Sequence, residues 1–337
     1  MTDRLTDDYD VVVVGGGAAG LNGALMLARA RRSVLVVDGG APRNAPAGGV
    51  HGLLARDGTA PAVLLETGRE EVRRYGGQVV NGEVATVTGE SGGFTVGLAA
   101  GRSVGARRLL VTTGLVDELP DLPGLRERWG RDVLHCPYCH GWEVRDRAIG
   151  VVATGPMSVH QALLFRQWSV DVTYFVHTMP PPPGEEAEQL AARGVEVVHG
   201  EVASVVVDDD RLTGLTLRDG AVVARDAVVV APRMTARAGF VAELGLQPVE
   251  HPGGLGTYLP ADPTGRTDVA GVWVAGNVTD LSAQVGAAAA AGATAAAQIN
   301  ADLVAEETQQ AVAARRARPA PHRVVPAGAA VSPAAAP

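Results

Sequence analysis

Two stretches of this chain repeat one another. Val79-Val-Asn-Gly-Glu-Val-Ala-Thr-Val87 returns as Val197-Val-His-Gly-Glu-Val-Ala-Ser-Val205. Each copy is preceded by a strand and a Gly-bearing turn and continues as an alternating strand pattern broken by glycine or aspartate turns. Each ends in an apolar strand, Leu109 to Thr112 in the first copy and Val228 to Ala231 in the second. A repeat that carries its whole setting with it marks a duplicated folding unit. Length agrees, since 337 residues make two domains of ordinary size, each able to bury a core.

The first unit opens with Tyr9-Asp-Val-Val-Val-Val-Gly15-Gly-Gly17-Ala-Ala-Gly20, then Leu21 to Arg31, then Ser33-Val-Leu-Val-Val-Asp38. An unbroken valine run reads as a strand buried on both faces of a parallel sheet. The glycines permit a tight turn, close backbone approach to a pyrophosphate and tight helix–strand packing, and the helix that follows points free N–H groups at the phosphates. Asp38 ends the second strand, where a carboxylate can accept hydrogen bonds from an adenosine ribose. Strand, glycines, helix, strand and acid in that order predict a dinucleotide site, and the chain reads as two related nucleotide-binding α/β units.

Composition removes several classes of function. The net charge is −8, which offers nucleic acid no electrostatic footprint, and 46% hydrophobic content is too high for a disordered chain. All 29 basic side chains are arginine. Lysine Schiff-base chemistry and a Gly-Lys phosphate loop are therefore excluded. Met1 to Asp10 is polar and acidic rather than a targeting segment, and the Ala/Gly-rich stretch from Val285 to Ala297 is too short and weakly apolar to span a membrane. A soluble, cytoplasmic protein is expected. Beyond the long helix read to about Glu307, residues 308–337 are expected to form a disordered Ala/Pro-rich tail.

Both cysteines fall in one motif, Cys136-Pro-Tyr-Cys139-His140. A structural zinc site needs four ligands, and this motif supplies three at awkward spacing. Cys-x-x-Cys-His also matches the c-type haem attachment motif, but no export signal or haem-sized helix bundle accompanies it. A plain buried pair is the third reading. The fourth is a redox pair: a CxxC that opens a helix has a thiolate stabilised by helix N–H groups and nearby imidazolium, one sulfur attacking and the other resolving. The chemistry favours this reading, with no metal bound.

Gly15–Gly20, Thr113-Gly114, Cys136-Pro-Tyr-Cys139-His140-Gly-Trp-Glu143, and Gly276-Asn-Val-Thr-Asp280 with Gln284 together resemble the low-molecular-weight thioredoxin-reductase-like flavoproteins. The resemblance runs from about Asp8 to Ala305. It implies two Rossmann-like three-layer domains: a discontinuous FAD-binding domain, 1–120 plus 250–307, and an inserted NAD(P)-like domain, 121–249, carrying the CxxC. It implies FAD held by Gly15, Gly17, Ala18, Gly20, Asp38, Asn44, Val84, Gly114, Gly276, Asn277 and Gln284. The positive end of the C-terminal helix would lie beside the flavin. Asn277 stands where the family usually has aspartate. The resemblance further implies a homodimer, with Cys139 against the flavin and Cys136 attacking the substrate. His140 takes the place of an acidic aspartate, as an imidazole able to move protons near neutrality. His135 is a second, weaker candidate.

The family's NADPH site should lie in the second unit, and there the pattern fails. The three glycine positions read Ala153, Gly155 and Ser158, with Ala153 where the turn is tightest and Pro156 following. After Val172 to His177 come Thr178-Met179, four prolines and Glu185-Glu186, with no arginine for a 2′-phosphate. Cys-Pro-Tyr-Cys-His resembles the motif of the dithiol oxidases that close disulfides in sulfur-containing natural products. In the implied cycle a substrate dithiol reduces the Cys136–Cys139 disulfide, the Cys139 thiolate reduces FAD, and O2 reoxidises it to yield hydrogen peroxide. Two alternatives stay open: an NADPH- or ferredoxin-linked thioredoxin reductase, and a non-enzymatic flavin-binding redox sensor. The partner would be a small dithiol or a thioredoxin-like protein.

Overall fold

The computed structural model describes residues 5–317. The valine run Val11–Val14 is the centre of the first sheet, with at most 4% of any side chain exposed. Strand Asp8–Val14 pairs in parallel with Val34–Asp38 on one side and Ser103–Val111 on the other. Gln78–Asn81 extends the parallel edge beyond Val34–Asp38, and Val272–Val274 returns late in the chain to lie parallel to Ser103–Val111. Phe94–Leu98 and Val84–Thr88 add an antiparallel ribbon.

Helix Ala18–Arg29 covers one face of this sheet and presents small residues outward. Its Ala19 and Gly23 meet Gly292 of the terminal helix, Val285–Ala317, so closely that a Cβ on Gly292 would lie 2.0 Å from the Ala19 carbonyl oxygen. The contact is backbone against backbone, which only small residues permit. It brings the N-terminal ends of the two helices, 267 residues apart in sequence, to the same edge of the sheet.

The second sheet repeats the plan of the first. Its order is Glu196–Val198, Val172–Phe175, Ile149–Val152, Ala227–Val229 and Val133–Leu134, all parallel. Val202–Asp208, Arg211–Leu217 and Val222–Ala224 form the accompanying antiparallel ribbon. Each copy of the repeated segment therefore supplies the outermost parallel strand and then the first strand of the ribbon. The α/β class and the two Rossmann-like units are borne out. Leu115–Glu118 leaves the first unit and Arg233–Ala236 re-enters it, and the two pair antiparallel, so both connections between the units are tied together.

The terminal helix departs from expectation by continuing through Ala317, so residues 308–317 are helical rather than tail. Glu307 is clamped by Arg32 and Arg107, while the buried Arg108 guanidinium bonds Asp302 and Glu306 at 2.6 Å each. Beyond the clamp the helix is Ala-, Gln- and Arg-rich, which favours helix without any packing face. The absence of an amphipathic period there signals exposure, not loss of helix. The remaining tail residues, 318–337, lie outside the described residues.

Candidate active site

The turn after the first strand is built for close approach. Gly15 adopts φ +111° and donates its N–H to the Val37 carbonyl at 2.8 Å. Gly16 packs on Asp38, whose Oδ2 would be 2.2 Å from an added Cβ. Gly17 caps helix Ala18–Arg29 with no side chain bonded to the first-turn amides, which leaves them to an anionic ligand. Gly20 differs from its neighbours: it does not line the cavity described below, and a Cβ there would lie 1.9 Å from the Gly15 carbonyl oxygen, so its work is helix–strand packing. Asp38 is 6% exposed, accepts the Gly40 N–H at 2.9 Å on Oδ1 and pairs through Oδ2 with Arg69 at 2.8 Å. Arg69 was not foreseen from the sequence.

Gly15, Gly17, Ala18, Asp38, Asn44, Val84, Gly114, Gly276, Asn277 and Gln284 all line one cavity of about 940 Å³. Asn277 spends its amide nitrogen on the Asp280 and Ala283 carbonyls, both at 2.9 Å, and so shapes the turn that leads into the terminal helix. Only its oxygen is left for a ligand. Gln284 accepts the Ala288 N–H at 2.8 Å and starts that helix, whose positive end thus opens on the cavity. Free first-turn amides, a glycine turn a Cβ would fill and a second helix end fit the phosphates and ring system of FAD.

Cys136 and Cys139 face the same cavity, paired as a disulfide with Cα atoms 5.3 Å apart. The helix they open is a single turn, Pro137–His140. Pro137 has no N–H, and the amides of Cys139 and His140 donate to the Cys136 carbonyl at 3.3 and 3.2 Å. Stabilisation of a thiolate by helix N–H groups, expected from the motif, is correspondingly curtailed. Gly141 lies against the Trp168 ring, and exposed Tyr138 stands edge-on to it at 5.7 Å between ring centroids.

The two flanking histidines differ. His140 is half-buried, with both ring nitrogens shielded from solvent and neither hydrogen-bonded to any group, the two sulfurs included. Burial pushes its pKa down, Glu143 raises it and His51 lowers it. His135 donates from Nδ1 to the Val230 carbonyl at 3.3 Å, which leaves Nε2 as an acceptor. Burial again leads in lowering its pKa, with Arg43 adding and Asp117 opposing. His177 is lowered by burial too. All three are held neutral in the fold but protonate more readily in the unfolded chain, whose pKa lies near 6.5. Stability from them is complete above about pH 6.5 and is lost as pH falls below it, ahead of the carboxylates. The midpoint of thermal unfolding should therefore fall between pH 7 and 5, and His177→Gln should flatten the slope; an unchanged midpoint across that range would show these histidines to be solvated.

In the second unit's turn two backbone amides are already taken by a side chain. Ser158, fully buried at the third glycine position, accepts the Thr154 N–H at 3.1 Å and the Gly155 N–H at 3.3 Å on its hydroxyl oxygen. Ala153 is also fully buried but has no positive φ, so its methyl meets no strained turn, contrary to expectation. The four prolines lead into helix Gly184–Ala192 with Glu185 and Glu186 in its first turn. An arginine does reach this region, against the sequence reading. Arg218 comes from beyond strand Arg211–Leu217 to a cavity of about 370 Å³ shared with His177, Thr178 and Glu201. Glu201 neutralises it at 2.6 and 2.8 Å.

Missed altogether were His51, which lines the large cavity from the irregular connection 39–60, and its neighbour Glu143. Glu143 sits in the cysteine motif, but nothing in the spacing marks it. His51 lies in a loop with no period.

Two Rossmann-like units, one open dinucleotide turn and a CxxC facing the same cavity define a disulfide oxidoreductase. The chain belongs to the pyridine nucleotide-disulphide oxidoreductase family, whose model matches residues 9–298. It is similar to thioredoxin reductase tcpT of Claviceps purpurea, 30% identical over 279 residues covering 80% of this chain and 86% of that protein. Thioredoxin reductase sirT of Leptosphaeria maculans is 29% identical over 312 residues, covering 87% and 93%. The crystal structure of HlmI superposes with a TM-score of 0.87 at 48% identity, covering 93% of this chain and 98% of HlmI. The chain is thus a thioredoxin-reductase-like oxidoreductase, of a kind generally flavin-dependent. Among the described residues no helix is long and apolar enough to cross a membrane.

Proposed function

We propose that this protein is an FAD-dependent oxidase of dithiols, closing a disulfide in its substrate with O2 as the final acceptor. The observation that carries the reading is the Ser158 hydroxyl on the Thr154 and Gly155 amides. Those are the donors a nicotinamide dinucleotide would need for its pyrophosphate, and the first unit keeps its equivalents free. Electrons then have a disulfide to enter by and a flavin to leave by, with no cradle for NADPH.

A substrate thiolate attacks the Cys136 sulfur, forming a mixed disulfide and releasing the Cys139 thiolate. The second substrate thiolate displaces Cys136, so the substrate loses two electrons as a disulfide and the enzyme pair gains them. FAD, which the Gly15–Ala18 turn and the Gly276–Gln284 segment would hold, would supply the acceptor for that electron pair and its route to O2. His135, neutral and with Nε2 free to accept, suits removal of the substrate proton next to Cys136. His140 is neutral and closed off while the disulfide is intact, so its share of proton movement belongs to the opened pair.

Arg218 beside His177 is the one observation that favours an NADPH-dependent thioredoxin reductase, and its pairing with Glu201 weakens it. Anaerobic titration of the yellow protein decides between the two. Bleaching by a small dithiol but not by NADPH, with colour returning in air and peroxide appearing, is the expected result. Fast bleaching by NADPH would refute the oxidase.

A further inference from the structure

The connection 39–60 belongs to the first unit yet reaches the second at two points. Pro46 lies against Gly130, where an added Cβ would stand 2.7 Å from the Pro46 Cβ. Nearer the cysteines, His51 Nε2 is 3.4 Å from Glu143 Oε1, three residues past His140. On its other side His51 Nδ1 is 3.4 Å from Asp57 Oδ1. The loop that carries His51 is held in shape from within: Val50 and Thr59 form a β-bridge, and Asp57 also accepts the Gly52 N–H at 2.9 Å. An imidazole carries two ring nitrogens on opposite edges, so His51 can face an acid from each side and join the loop to the cysteine turn.

We propose that His51 is a positioning residue, a clasp through Glu143 that keeps the CxxC turn of the second unit against the cavity of the first. The inference rests on the Cys136–Cys139 pair being the redox pair, not on the identity of the acceptor. Further ties from this connection are Arg43, paired with Asp117 at 2.7 and 2.8 Å and 3.4 Å from the Met234 sulfur, and Arg237 to the Ala41 carbonyl at 3.4 Å; both fall on the segments that join the units rather than on the cysteine turn. His51 and Glu143 are 26% and 42% exposed, so the contact is of the modest, partly solvated kind. Its loss should release the turn by about two- to fivefold, the range for such pairs.

The test uses the whole flavoprotein without oxygen. The disulfide is reduced with a phosphine, and the rate at which iodoacetamide alkylates the chain's two cysteines is followed by mass spectrometry. His51→Ala and Glu143→Ala should each speed alkylation by about two- to fivefold, and the double variant should be no faster than either single. His51→Gln, which keeps a donor, should recover most of the protection at an unchanged unfolding midpoint. Single variants at the parental rate, or a double variant whose acceleration is the product of the two, would overturn the clasp. Should His51→Ala fail to fold, Glu143→Gln reads the same contact from the other side. Oxygen takes no part, and excess phosphine keeps the cysteine pair reduced whatever passes to the flavin, so failure of the oxidase reading shows separately, as dithiol that does not bleach the flavin.

Discussion

Replacing Cys139 with serine is expected to cut dithiol-dependent oxygen uptake by at least ~10³-fold, as loss of a covalent participant does. The reason is electronic rather than structural. A disulfide accepts two electrons because its S–S bond can be broken by an attacking thiolate, and a lone thiol has no such bond. Cys136→Ser should be equally damaging to turnover. The fold should survive both, since the one-turn helix Pro137–His140 is held by its own backbone bonds and by Gly141 packed on Trp168. The measurement is oxygen uptake with a small dithiol, alongside flavin absorbance and the unfolding midpoint. Retention of more than a few per cent of uptake in either variant, with cofactor intact, would mean that the substrate reaches the flavin directly and that the cysteines are bystanders.

The second large effect is expected at Gly20. Alanine there would place its Cβ 1.9 Å from the Gly15 carbonyl oxygen and 2.5 Å from Thr112 Oγ1. Neither neighbour can retreat. Gly15 is tied by its N–H to Val37, and Thr112 bonds the Val14 carbonyl through its N–H and its hydroxyl as well as the Gly15 carbonyl. The helix must move off the strand, at a cost of about 3 kcal/mol. In a chain of this size that lowers the unfolding midpoint by about 4 °C. Because the same shift lifts the first-turn amides away from the cavity, Gly20→Ala should also purify with most of its yellow colour gone. Gly286→Ala is the matched control: its Cβ would meet only Leu53 at 3.6 Å, in a helix where alanine is preferred. Equal behaviour of the two variants would contradict a packing role for Gly20.

The contrast between Gly20 and Ser158 shows where reading the sequence stopped. Their alignment as the third glycine-type position of each unit was legible, and so was the damage to the second. That the serine hydroxyl turns inward and takes the Thr154 and Gly155 amides was not, because a side-chain rotamer and its partners exist only in the folded turn. Arg218 was overlooked for a related reason. It is 41 residues from His177 in sequence, and only the antiparallel ribbon carries it back to the end of strand Val172–Phe175. The helix past Glu307 was misjudged because a missing period was taken for missing structure, when alanine, glutamine and arginine favour helix with nothing packed on them.

By itself the sequence determined the duplication, the parallel strands, the glycine turn of the first unit and the CxxC, since each depends on neighbours a few residues away and on periods that backbone geometry imposes. The tertiary structure alone decided which of those pieces meet: the cysteine turn on the cavity of the other unit, the terminal helix end beside the first, Arg69 on Asp38, and His51 on Glu143. Contacts of that kind join residues tens to hundreds of positions apart, and no local spacing encodes them until the chain has closed.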